Sequence, residues 1–270
     1  MKKTVLNALM CILVVIIGLF ALNTGNSSDM DIINNTVHTE NADNTDKTNN
    51  TSIISNTGSI NNEDIAYMPV NACLTYYPSD IDDLEMNSDV IILARVLGSE
   101  NVLLEFPADW SIEYHFEIHR RGFTRTELEV LQVFAGDTVV GDIFVIGEFY
   151  WIVEYENEMW IRHYSNYGPS TLGQEYLFFL LKHVEDDSVY SGMHFPCGFD
   201  GARYPVFKEL VDASSRSSIG SSGSSSRSVA EYVESYTNAE LNLANQNSRA
   251  YRDLYNDVVE RYFSQISSRY

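Results

Sequence analysis

Basic residues are scarce in this chain. Seventeen lysines and arginines face 38 acids, a net charge of -21 at pH 7. Such a chain repels the phosphate backbone that nucleic-acid binders must neutralise, so DNA and RNA are excluded as expected partners. Catalytic signatures are missing too. There is no Gly-x-Ser-x-Gly elbow, phosphate loop, dinucleotide fingerprint or His-Glu-x-x-His helix, and no internal repeat. Cysteine is nearly absent, at three residues. Aromatic side chains, by contrast, are plentiful: 17 Tyr, 13 Phe and 3 Trp supply ample bulk for a core.

Lys2 and Lys3 precede a run from Thr4 to Leu22 that is almost wholly apolar, the pattern of an export signal. Its length suits either a removable signal peptide or a bilayer-spanning anchor (1–25). Two lysines before it and Asp29 and Asp31 after it orient the rest of the chain outward. The expected location is therefore extracellular, secreted or tethered to the membrane through residues 4–22.

Residues 26–62 are rich in Asn, Thr, Ser and Asp and carry almost no periodic apolar positions. Such a segment buries too little surface to offset its ordering entropy, which predicts a disordered stalk with a reach on the order of 30 to 35 Å. A second spacer, 213–227, is a Ser/Gly linker. Between the two lies a domain, 63–212, with 27 acids and eight bases.

After the linker comes a helical tail, 228–270. Ser228 and Glu231 make a capping box, and Thr237 with Glu240 offers a second cap. Tyr251, Leu254, Tyr255, Val258, Val259, Tyr262, Phe263 and Ile266 step by 3 and 1 in alternation and share one helical stripe. Asp257 and Arg261 sit at the favourable i, i+4 separation on the other face. The stripe either packs on its own domain or serves as a docking or self-association helix through residues 228–266. Six acids outnumber four bases there, which disfavours binding to anionic lipid.

The domain reads as mainly β. Ser79 to Met86 predicts a short helix with a serine cap and acids in its first turn; it lacks the glycine and ligand spacing of a calcium loop. From Asp89 the chemistry changes to β-branched and aromatic runs of strand length: 90–96, 102–106, 114–118, 126–134, 138–146, 149–153 and 176–181. Short strands without intervening long helices point to a sandwich or small barrel.

Three of these segments, Asn87-Ser-Asp-Val-Ile-Ile-Leu-Ala-Arg-Val96, Glu127-Leu-Glu-Val-Leu-Gln-Val-Phe-Ala-Gly-Asp137 and Leu172-Gly-Gln-Glu-Tyr-Leu-Phe-Phe-Leu180, together resemble exported bacterial proteins of unassigned activity. Those proteins look similar to the OB-fold barrels of tissue-inhibitor-of-metalloproteinase and netrin-like modules. Over residues 79–207 the resemblance implies a closed five- or six-stranded OB-like barrel, with no activity attached. Metalloproteinase inhibitors of that group reach the metal with a free N-terminal cysteine; the counterpart here, Cys73, follows the stalk.

Cys11 lies in the apolar run, leaving Cys73 and Cys197 as the two cysteines of an exported domain. They predict one disulfide, which would close a loop of about 125 residues and contribute about 2 to 4 kcal/mol. The alternative is a thiolate at Cys197 activated by His194. His115, Glu117 and His119 alternate and would share one face of a strand, a set that suits zinc, although any half-buried strand alternates in this way. Glu154, Glu156 and Glu158, with Trp151 and Trp160 nearby, would line a carbohydrate surface or form the solvated side of a hairpin. No catalytic residue, cofactor or metal is assigned. The expected function is extracellular binding, with a protein or cationic ligand as partner; a metal-dependent or carboxylate-based hydrolase is the alternative.

Overall fold

The computed structural model describes residues 51–54, 65–70, 76–104, 121–155, 157–183, 189–218, 227–244, 248–266 and 269. The signal segment 1–25, Cys73 and the His115-Glu117-His119 set therefore lie outside the described residues. Strand predominates, with helices concentrated toward the C-terminus. In chain order the strands are β1 (Thr51–Ile54), β2 (Ala66–Val70), β3 (Val90–Leu104), β4 (Arg121–Ala135), β5 (Ile143–Glu148), β6 (Tyr150–Tyr155), β7 (Glu158–Tyr164), β8 (Glu175–Lys182), β9 (His194–Pro196) and β10 (Arg203–Pro205). The helices are α1 (Ile81–Met86), α2 (Lys208–Ser218), α3 (Val229–Ser235) and α4 (Arg249–Val258). A π-helical turn, Val259–Phe263, carries α4 on to a last helical turn, Ser264–Ile266.

The larger sheet runs β1-β3-β4-β5-β9-β8-β10, and β3 pairs with β8 as well. That extra pairing bends the sheet back on itself. Closure is uneven: β3 and β4 match over most of their 15 residues, whereas β5 meets β9 only at Ile146 and His194. The interior is filled by Ile92, Ala94, Val96, Leu128, Val130, Ile146, Tyr176, Phe178 and Leu180. These alternate with outward residues along each strand, as the period of two requires. A smaller sheet, β2-β7-β6, combines the β6–β7 hairpin with a parallel β2. It packs on the large sheet through Trp151, which lies over Gly122. A Cβ there would come within 2.6 Å of the Val102 carbonyl and 2.8 Å of the indole, so only glycine permits the contact.

The tail helix belongs to this body. All eight stripe residues from Tyr251 to Ile266 are buried, in one cluster with Ile91, Leu93, Leu177 and Phe179 of the sheet and Ile81 and Leu84 of α1. The apolar stripe of that segment is thus covered by the chain's own sheet and α1. Two stripe tyrosines also complete the backbone of edge strand β10: Tyr251 Oη donates to the Arg203 carbonyl at 3.0 Å, and Tyr255 Oη to that of Pro205. Both edge acceptors are satisfied in this way.

Several boundaries differ from the sequence reading. Residues 51–54 of the stalk pair with 101–104 of β3. Residues 213–218 of the linker are the end of α2, whose buried Leu210, Val211 and Ala213 join the same cluster as the tail. The run 90–96 and the described part of the run 102–106, as far as Leu104, belong to one strand, irregular between Val96 and Gly98. The cap of α1 is Asp80, which accepts from the Asp83 amide at 2.9 Å, rather than Ser79. The Ser228–Glu231 capping box forms on α3. Thr237 and Glu240 make the same reciprocal bonds around a turn, not a helix. Arg261 reaches Asp82 at 2.7 Å and Glu85 at 2.9 Å on α1, and no ion pair with Asp257 forms; Asp257 precedes the π turn and Arg261 lies within it, where the wider spacing breaks the i, i+4 alignment.

Candidate functional site

A cleft of about 230 Å³ opens on the outer side of the long strands, where β3, β4 and β5 meet the segment leading into β9. Period-two geometry builds its floor. Val102 stands opposite Phe123, and Glu100 opposite Arg125, so all four side chains share the outer face. Val145 of β5 and Met193 complete the apolar base, and Val189, Ser191 and Gly192 form the far lip. Gly192, at φ +72°, allows that lip to turn. Glu100 and Arg125 stand at the rim, 3.9 Å apart and partly exposed. A solvated pair at that distance contributes little to stability and leaves both charges near an incoming ligand. The arrangement can hold an apolar group with a polar end; it holds no nucleophile and base in contact.

The strongest polar constellation is buried elsewhere. Glu148, at the end of β5, and Arg203, at the start of β10, are 3.0 Å apart, with side chains 0 % and 1 % exposed. Glu148 also accepts from Thr126 at 2.5 Å, Ser170 at 2.5 Å and Tyr167 at 3.0 Å. Arg203 donates to the carbonyls of Gly168 and Asn242, at 2.7 and 2.8 Å, and its guanidinium lies 4.1 Å above the Tyr167 ring. A fully desolvated charge pair survives only with extensive hydrogen bonding, and of the guanidinium nitrogens Nε alone lacks a partner. It joins β4, β5, β10 and the 237–244 turn, and its burial denies it any substrate. Sequence reasoning passed over both residues because they are 55 positions apart and neither lies in a motif.

The described residues among those singled out from sequence are not brought together. Cys197 is a free, buried thiol, and among the described residues there is no disulfide. Its sulfur is 3.2 Å from Ser88 Oγ, and burial pushes its pKa up to about 12. A thiolate nucleophile is therefore disfavoured. His194 instead packs at a tilt against the Phe144 ring, centroids 4.3 Å apart, and burial, then Lys182, hold its pKa below the usual histidine value. Trp151 is core, 1 % exposed, and offers no platform for a sugar. Glu154 and Glu158 are exposed at the tip of the β6–β7 hairpin; Glu156 lies outside the described residues. No group of three or more histidine, cysteine or carboxylate side chains suited to a metal occurs among the described residues. None of their helices is long and apolar enough to cross a membrane.

His163 was not anticipated. It is fully buried on β7, with Nδ1 2.8 Å from the Ser165 carbonyl, Nε2 without a hydrogen-bond partner, and Tyr67 edge-on at 5.9 Å. Burial lowers its pKa. Comparison with protein-family models, curated proteins and solved structures finds no match to this chain.

Proposed function

We propose that this chain is a non-catalytic binding module held outside the cell, with the β3–β4–β5 cleft as its ligand seat. One contrast carries the reading. The buried Glu148–Arg203 pair and the Cys197 thiol are engaged in structural contacts, while the cleft is floored by the buried cluster Val102, Phe123 and Met193 with Val145 beside it, and carries charge only at its rim. Apolar lining with a few placed polar groups is the usual character of a small-ligand site.

Strand order supports an OB-like reading of the barrel. Around the ring β3-β4-β5-β9-β8, the first strand pairs with the second and the fourth, and the third lies parallel to the fifth. The β6–β7 hairpin stands between the third and fourth strands. Barrels of this order hold ligands on the second and third strands and on the loop joining the fourth to the fifth, where this cleft lies. The likeness to tissue-inhibitor-of-metalloproteinase and netrin-like modules is part of the same proposal. Lys2, Lys3 and the apolar run after them support export, and the acidic surface favours a cationic partner.

A thermal-shift screen of small apolar amines and sugars on the full chain tests the cleft. Val189 is exposed on its lip, so Val189→Trp would fill the cleft without disturbing the core. Ligands that stabilise the wild type and lose their effect on this variant support the reading. Stabilisation indifferent to Val189→Trp, or turnover of any compound, overturns it.

A further inference from the structure

Beside the cleft, the barrel exposes apolar side chains that its own packing does not use. Val139 and Val140 sit at the turn between β4 and β5, 63 % and 65 % exposed, and Ile143 follows at 58 %. The turn is well held. The Asp142 carboxylate accepts from Thr138 Oγ1 at 3.2 Å and from the Val139 amide at 3.1 Å, the Gly141 amide donates to the Val130 carbonyl at 2.8 Å, and Gly141 has φ +92°. Two valines at a rigid turn gain nothing for the core; polar residues would serve the turn equally well.

Across β4, whose outward residues here are Glu127 and Glu129, exposed apolar side chains resume on β3 and beyond it. Ile143 stands opposite Glu129 and Val145 opposite Glu127 on β4; Glu129 and Glu127 face Arg95 and Gly98 on β3. Leu97, turned out by the irregularity before Gly98, is 42 % exposed. Next to it the Gly173 amide donates to the Val96 carbonyl, placing Leu172, 62 % exposed, at the far end. Neighbouring strands lie about 4.8 Å apart, so three steps from Leu172 to Ile143 span roughly 15 Å, the length of about ten helical residues.

Its surroundings are acidic. Glu127, Asp137 and Asp142 are exposed, and Arg95 is spoken for by Glu129 and Glu175, at 3.2 and 2.7 Å. Arg125 stays beside Glu100. A second copy of this chain would bring the same acids against these, and anionic lipid would be repelled likewise.

We propose that the strip Leu172-Leu97-Ile143-Val139-Val140 is the docking surface for a basic amphipathic helix of a partner protein. Leucine-like side chains spaced by 3 and 4 cover the strip, and flanking lysines or arginines meet Glu127, Asp137 and Asp142. The turn, already ordered, loses little freedom on binding. This rests on the binding-module reading and names its macromolecular partner, on a surface adjoining the cleft but separate from it.

The test uses a fluorescein-labelled 18-residue peptide of leucine and lysine with helical apolar spacing, titrated against the full chain by anisotropy. A scrambled peptide of the same composition is expected to bind at least tenfold more weakly. Val140→Asp with Ile143→Asp should weaken binding at least tenfold, and Glu127→Lys with Asp137→Lys at least fivefold with a flatter salt dependence. Val189→Trp should leave it unchanged. All of these positions are exposed, so an unchanged melting temperature verifies folding. Equal binding of the scrambled peptide, or indifference to the Val140 and Ile143 changes, overturns the proposal. So does a wild-type dimer that Ile143→Asp dissolves, or strip-dependent binding to anionic phosphatidylglycerol vesicles. If Val189→Trp abolishes peptide binding, the strip assignment falls while the cleft reading stands; if small ligands ignore the cleft but the strip behaves as described, the reverse holds.

Discussion

Arg203 Nη1 lies 3.0 Å from Glu148 Oε1, and the same nitrogen donates to Ser170 Oγ at 2.9 Å and to the Gly168 carbonyl at 2.7 Å. One guanidinium thus binds the carboxylate and the loop that also binds that carboxylate. Arg203→Met would strand Glu148 as an unpaired buried charge, at a cost of about 3 to 5 kcal/mol. The double variant Glu148→Leu, Arg203→Met removes both charges and should recover much of that loss. Urea unfolding of the two variants is the measurement. A single variant within about 1 kcal/mol of wild type would show that the pair does not hold these segments together.

Asn101 replaces a missing strand. Its Nδ2 donates to the Ile152 carbonyl at 2.9 Å and its Oδ1 accepts from the Ile152 amide at 2.8 Å, so a side chain satisfies the outer edge of β6. Asn101→Asp keeps the acceptor, loses the donor and adds a charge. Its expected cost is about 1 to 3 kcal/mol, the penalty for an unsatisfied buried group. Hydrogen exchange at Ile152 should accelerate, and unchanged protection there would refute this role.

Acid should weaken the fold through its histidines. Burial lowers the folded-state pKa of His163, and burial with Lys182 that of His194. The unfolded chain, with a value near 6.5, therefore takes up protons first. Stability contributed by neutral His163 is fully present above about pH 6.5 and is lost as pH falls through that value toward the folded pKa. Asp200, raised by burial, acts in the opposite sense, so an Asp200→Asn background isolates the histidines. His163→Gln in that background should flatten the fall in stability between about pH 7 and 5. An unaltered slope would remove His163 from the account.

Cys197 should resist alkylation in the native chain, since burial holds its thiol at a pKa of about 12. Only the thiolate reacts. In denaturant without reductant, iodoacetamide is expected to label Cys197; labelling that needs reductant would mean that the thiol has been oxidised. Peptide mapping then tells whether Cys73 is the partner. Rapid labelling of Cys197 under native conditions contradicts the buried geometry.

Local features were legible from sequence where a few neighbouring residues decide them. The Ser228–Glu231 box and the Tyr251–Ile266 stripe depend on helical spacing alone. Strand segments at 126–134 and 176–181 announced themselves by branched and aromatic residues. Others left no signal. β9 and β10 are three residues long, too short for a period to register, and β7 carries Arg162 and His163 in a run that does not read as half-buried. The runs 90–96 and 102–106 read as separate strands, but a bulge lets β3 continue to Leu104. Of the cleft, Phe123 and Met193 are 70 positions apart in sequence, so nothing local joins them.

By itself the sequence determined the acidic excess, the absence of familiar catalytic motifs, the β-rich character and an apolar tail stripe. These follow from composition and from backbone periods set within one or two turns. Only the tertiary structure decided that the stripe covers the chain's own sheet, that Glu148 and Arg203 are consumed as a buried pair, and that Val139, Val140 and Ile143 remain in water. Apolar burial has no direction of its own. Which surfaces meet depends on contacts between distant segments, and those exist only once the strands have closed.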